Sequence, residues 1–248
     1  MIFMKKLTTR LLSLVLLGAF IPSFVLAQEW DLNNGNIIVN AVPGTEQTVS
    51  QAGSTPTVDN NPVITSNGNS TNNTVTINAA ENATANVTLE NVNINTGGAA
   101  ISTSGQGNVN IELDGTNTVQ SGTNHAGVEK NSTGTLTIKD EKNNKGSLTA
   151  TGGDRGAGIG GGNDGSGSHI TISGGEVTAQ GGVGGAGIGG GQGGSGSNIT
   201  ISDGKVTATG AGAGAGIGGG YEGSGKGITI EGGEVTAQGD AGGAGIGG

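Results

Sequence analysis

Few residues in this chain carry side chains able to do chemistry. Beyond the N-terminal segment the histidines are His125 and His169, the only arginine is Arg155, and cysteine is absent throughout. Zinc sites draw on clustered His and Cys, and no such cluster is spelled here. No GxSxG elbow is present to start a serine hydrolase. The recurring string GAGIGGG lacks the Lys followed by Ser or Thr that a phosphate loop needs. Paired carboxylates for glycoside hydrolysis could come from Asp164 with Glu176 or Asp154, yet any acidic repeat offers such pairs. The sequence therefore assigns no catalytic residue and predicts a protein that is not an enzyme. Binding chemistry has more to work with. Thr171, Thr200 and Thr229 recur at one fixed interval, and a hydroxyl both donates and accepts, so it suits sugar hydroxyls. Asp164 and Glu222 share a turn position and could hold a bridging cation. These five residues are the candidate ligand-binding set. No metal site and no cofactor is assigned, with room left for an isolated calcium ion among carboxylates and turn carbonyls.

What positions these residues is an internal repeat, the feature to seek before local structure. GAGIGGG starts at Gly156, Gly185 and Gly214, and GAGIGG at Gly243, so the step between copies never varies. Between them lie Ile170-Thr171-Ile172, Ile199-Thr200-Ile201 and Ile228-Thr229-Ile230, followed by Val177-Thr178-Ala179 and its two copies. Apolar residues alternate with polar ones or Gly, the period of strands with one buried face. Three short strands and three Gly-rich turns in ~29 residues describe one coil of a parallel β-helix. Leucine-rich repeats can match the length but not the composition, since their Leu framework is missing. A lone coil cannot offset the entropy of ordering its backbone, whereas stacked coils share hydrogen bonds and aliphatic ladders.

The repeat weakens upstream. Ile101 and Val128 take the place of Ile159, first at a shorter step and then at a longer one. Val75-Thr76-Ile77 reads as the earliest regular strand, residues 41–73 as irregular strands and loops, and Ile37-Ile38-Val39 as a lead-in strand or cap. The array is thus assigned to residues 74–248 and an N-terminal cap segment to 28–73. The sequence stops at Gly248 inside a repeat string, which predicts that it is part of a longer protein.

Within the array the repeats align one another. Glu176, Lys205 and Glu234 alternate in charge at one position, as a surface ladder does to avoid stacking like charges. Arg155, Gly184, Ala213 and Gly242 share a position, as do Asp164, Gly193 and Glu222, and His169, Asn198 and Gly227. A residue departing from its column is the better functional candidate. GGGNDGSGS has the flavour of short calcium-binding repeats, but the period here is far longer and Gly193 replaces Asp164 in the next copy. Gly158, Gly187, Gly216 and Gly245 are expected on the outside of one strand face, leaving it flat and accessible.

Composition narrows the partners. The chain has 248 residues, 55 of them Gly, with 2% aromatics. Collagen would need Gly at every third position with abundant Pro, and Pro numbers 4. Lys5, Lys6 and Arg10 before an apolar run, with Val25 and Ala27 ahead of Gln28, read as a signal peptide over residues 1–27. Without it seven basic residues face nineteen acidic ones, a formal charge of −12. A basic nucleic-acid footprint and base-stacking aromatics are both missing. The chain is expected to be secreted, extracellular or attached at the cell surface, without membrane insertion once the signal is cleaved.

The run VTLENVNI, GGAAI, VNIELDGTNTV, HAGVE, GTLTIKD, GSLTATGG and GAGIGGG, from Val87 to Gly191, resembles the secreted bacterial carbohydrate-binding β-helix domains. The resemblance implies a right-handed parallel β-helix on the bacterial exterior whose partner is a polysaccharide or cell-surface glycan, acidic plant-type sugars among them, with calcium an occasional companion. Trp30 and Tyr221, the only aromatics after the signal segment, cannot form a stacking platform. Binding would then rely on hydroxyls, amides and carboxylates. The expected function is an extracellular, non-catalytic carbohydrate-binding or adhesin domain. The alternatives are a structural surface stalk, an ice-binding solenoid or a polysaccharide lyase-like enzyme.

Overall fold

The computed structural model describes residues 28–248; the signal peptide read from the sequence lies outside the described residues. The chain winds into a parallel β-helix, each coil contributing one rung to each of three ladders. In the first ladder Ile37–Ala41, Val75–Ala79, Ile101–Gly105, Val128–Lys130, Ile159–Gly160, Ile188–Gly189, Ile217–Gly218 and Ile246–Gly247 stack in parallel. The second ladder starts at Glu29–Asp31 and rises through Val63–Thr65, Thr84–Glu90, Asn108–Asp114 and Leu136–Lys139. The third takes in Asn93–Asn95, Thr116–Gln120, Ser147–Thr151 and Glu234–Gln238. Two long strands, Gly167–Val183 and Gly196–Ala211, run through both the second and third ladders, bending where the register slips between Ile172 and Glu176.

The alternation seen in the sequence is the inside–outside alternation of the coils. Ile159, Ile188 and Ile217 pair rung to rung and are fully buried. So are Ile170 with Ile199 and Ile172 with Ile201 in the second ladder, and Val177 and Ala179 in the third. Each side chain stacks on its own kind one coil away, so packing is solved once and repeated. Ile246 keeps the register on the last rung of the described residues and is 48% exposed.

The lower end differs from the sequence reading. The parallel ladder does not begin at Val75: Ile37 pairs with it as a rung of the same ladder, and Glu29–Asp31 and Val63–Thr65 are rungs of the second. Thr48–Gln51 then runs antiparallel along Ile37–Ala41, and Thr57–Val58 antiparallel along Thr48–Gln51. This pairing covers the first ladder's lower edge, which would otherwise present open backbone groups. The indole Nε1 of Trp30 donates to Asp59 at 2.9 Å, tying the cap to the first coil. The first step of the ladder, from Ile37 to Val75, is much longer than the regular period, so the period does not reveal it.

Candidate functional site

The second ladder's outer surface carries a long polar rank. Asn86, Asn110, Thr137, Thr171, Thr200 and Thr229 follow one another in strict register. The structure therefore brings the three candidate threonines together in a single file, and it extends the file downward by three residues. The amide of Asn110 donates to that of Asn86 at 2.9 Å along the axis. A second file, Asn93, Thr118, Thr149, Thr178, Thr207 and Thr236, runs on the third ladder beyond the bend. The sequence spells this second file in its VTA strings, whose alternation turns Thr outward, and strand propensity explains Thr there.

At its lower end the first file opens into a groove of about 350 Å³, lined by Asn86, Thr88, Asn110, Glu112, Lys139 and Lys142 among others. One wall is the turn between Lys139 and Ser147, which is longer than its counterpart between Ile172 and Glu176. Its shape is fixed from within. Buried Asp140 accepts from Asn144 N at 3.1 Å and Gly146 N at 2.7 Å. From the coil below, Glu112 accepts from Glu141 N at 2.7 Å and Lys142 N at 2.8 Å. Lys142 also pairs with Asp114, which lowers the Asp114 carboxyl and raises the Lys142 ammonium from their ordinary ranges. Sequence reading passes over this wall, because a run such as EKNNK reads as a solvated loop until its capping partners are known.

Asp164 and Glu222 sit on one corner, two coils apart, both exposed. Gly193 stands between them, and Asp164 leans over it: a Cβ built on Gly193 would lie 2.6 Å from Asp164 Oδ1. Among the described residues no group of three or more His, Asp or Glu is placed to hold a metal ion. The turn beside Asp154 meets the Gln192–Gly193 turn of the coil above, since Gln192 N donates to Arg155 O at 2.8 Å, while Glu176 lies at the bend between the other two ladders. The charge ladder of Glu176, Lys205 and Glu234 stands as read: Lys205 Nζ is 3.0 Å from Glu176, and both carboxylates raise the lysine.

The variable columns have a backbone explanation. Arg155, Gly184, Ala213 and Gly242 all adopt positive φ; so do Asp164, Gly193 and Glu222, and His169, Asn198 and Gly227. Gly alternates with other residues there because the turn is left-handed, a conformation open to Gly and tolerated elsewhere at a cost of about 1–2 kcal/mol. Departure from the column thus marks strain rather than chemistry.

The expected flat glycine face is corrected by the structure. Gly158, Gly187 and Gly216 are buried. A Cβ on Gly187 would come within 2.6 Å of Thr209 N and 2.7 Å of Gly216 O. Within the string Ala186 N donates to Gly190 O at 2.9 Å, and between strings Tyr221 N of the coil above donates to Gly184 O at 2.8 Å. Glycine is required there because backbone packs directly on backbone, leaving no surface for a polymer.

One buried group carries no signal in the sequence. Lys130 is 4% exposed and occupies the inward column of the first ladder above Ile77 and Thr103. Its Nζ donates to Ser132 O at 2.7 Å. Burial lowers its pKa to about 8. The neighbouring Glu129 carboxylate is spent elsewhere, on His125 Nδ1 at 2.8 Å, Ala126 N at 3.1 Å and Asn131 Nδ2 at 2.8 Å. The unfolded chain holds the Lys130 proton up to the ordinary lysine range, so between about pH 8 and 10.5 it binds more protons than the folded chain. Lys130 therefore destabilises the fold fully below pH 8, and that cost fades as pH rises to 10.5. Lys130→Met is expected to stabilise the protein by about 1–3 kcal/mol at pH 7. Urea unfolding of both proteins at pH 7 and pH 10.5 checks this; a stability gap that does not narrow with pH contradicts it.

No curated protein and no solved structure matches the chain. Residues 143–163, 170–192, 199–221 and 228–248 match a family model described as a beta helix repeat, in step with the coils, so the chain carries a beta-helix repeat domain.

Proposed function

We propose that the protein is an extracellular, non-catalytic carbohydrate-binding domain that holds an extended glycan along the outer surface of its second ladder. The observation that carries this reading is the unbroken file from Asn86 to Thr229, with hydroxyls and amides at intervals of ~4.8 Å, opening at one end into the walled groove. Such a file presents donors and acceptors without fixed charge, which suits a polymer of neutral sugars and a chain of net negative charge. The groove adds Glu112 and Lys139, 3.8 Å apart, as orienting groups for one end of the glycan. Calcium enters this reading only as an accessory held at the acidic turns.

A glycan array, run with and without calcium, tests the proposal. The domain is expected to retain extended neutral polysaccharides, and joint replacement of Thr171, Thr200 and Thr229 by Val, which keeps shape and removes hydroxyls, is expected to weaken retention at least about tenfold, or about 1.4 kcal/mol. Retention undiminished by the triple replacement, or no retention of any glycan, overturns it.

A further inference from the structure

We propose that the notch between the first and second ladders beside Lys130 is a binding site for a small oxyanion group, a carboxylate or a sulfate. Two independent features coincide there. The first is the wall. From Val128 to Leu136 the chain takes eight residues between ladders, but from Ile159 to Ile170 it takes eleven. The longer connection overhangs the shorter one and leaves a cavity of about 400 Å³, lined by Lys130, Ser132, Thr133, Ser166, Ser168 and His169 among others. Among the described residues no carboxylate lines it, in a chain whose acids outnumber its bases.

The second feature is the ammonium itself. Lys130 stands where the coils below place Ile77 and Thr103. An aliphatic side chain of similar length would fill that column without the cost of desolvating a charge. Among the described residues its Nζ forms no ion pair and makes a single hydrogen bond, to the Ser132 carbonyl, so an ammonium with three protons keeps donors to offer. The charged groups around it are accounted for: Glu129 is taken up by His125, Ala126 and Asn131, and His169 faces the cavity from the overhanging connection, its Nε2 3.2 Å from Asn198 Nδ2. An oxyanion seated in the notch would meet one buried cation, the hydroxyls of Ser132, Thr133, Ser166 and Ser168, and the His169 imidazole. Such charge-assisted hydrogen bonds are the strong ones. The site stands apart from the second-ladder file and does not depend on glycan binding there.

The test is titration of the lysine side chains by carbon NMR, at constant ionic strength maintained with chloride, against inorganic sulfate and against glucuronate. The expected result is a saturable shift confined to Lys130 and His169, a Lys130 titration midpoint raised by about one pH unit, and loss of the His169 shift in Lys130→Met. Saturation by sulfate alone identifies a free inorganic anion as the ligand, and tighter saturation by glucuronate a sugar-borne carboxylate; either supports the site. A response that grows linearly without saturating, or that persists at His169 in Lys130→Met, overturns it. The variant lacks only a buried charge and is expected to fold.

Discussion

Ile188→Asp should abolish the folded solenoid, whereas Ile246→Asp should leave it folded. The two residues occupy the same column of the first ladder, but Ile188 is fully buried between Ile159 and Ile217 while Ile246 is 48% exposed. At position 188 a carboxylate would face neighbouring coils with aliphatic groups above and below, no partner and no route to water. The lost packing and the unpaired charge together are expected to cost about 5 kcal/mol or more, comparable to the whole stability of an ordinary domain. At position 246 the carboxylate reaches solvent, and the cost should stay near about 1 kcal/mol. Circular dichroism with urea titration distinguishes the two. Equal effects would mean that the column is not an internal ladder.

Gly189→Ala should be nearly as damaging, for a reason that has nothing to do with hydrophobic burial. Gly189 has φ of 135°, outside the range open to a residue with a Cβ, and that Cβ would lie 2.0 Å from the carbonyl oxygen of Gly218 one coil above. Relief would require separating two coils whose spacing is fixed by hydrogen bonds on both sides. Strain and overpacking together predict a loss of about 3 kcal/mol or more. Gly44→Ala is the control: φ is 73° and open space surrounds the added methyl, so only the left-handed penalty of about 1 kcal/mol applies. Thermal unfolding of both variants measures the difference, and a Gly189→Ala protein as stable as Gly44→Ala would show that backbone contact is not what selects glycine.

The coil and its three strands are legible in the sequence because burial writes itself into period two, and because a constant spacing aligns Ile159, Ile188 and Ile217 with one another. The start of the array is not legible, since the connections from Ile37 to Val75 lengthen to make room for the antiparallel cap. Glycine is the most misleading residue. In GAGIGGG it alternates with Ala and Ile as an outward strand residue would, yet Gly158 and Gly187 are enclosed by the backbone of the next coil. A missing side chain looks the same in sequence whether it faces water or another backbone. The threonine file is readable as a column, but its continuation into Asn110 and Asn86 depends on shorter, irregular steps that only the paired strands reveal. Lys130 is invisible for the opposite reason: one charged residue in an irregular coil reads as a solvated surface group, and only the strand pairing places it in the inward column of Thr103 and Ile77.

The central claim is that residues far apart in sequence are stacked in register along one axis. Because the chain has no cysteine, spin labels can be placed at chosen pairs without background. Labels at Asn86 and Thr200 are separated by four rungs, and labels at Asn86 and Thr229 by five. Pulsed electron–electron resonance should give narrow distributions centred near ~19 Å and ~24 Å, the second longer than the first by one rung of ~4.8 Å although a whole coil of sequence was added. Distances that are broad, or that fail to lengthen by a single rung between the two pairs, would contradict the stacked register on which the binding surface depends.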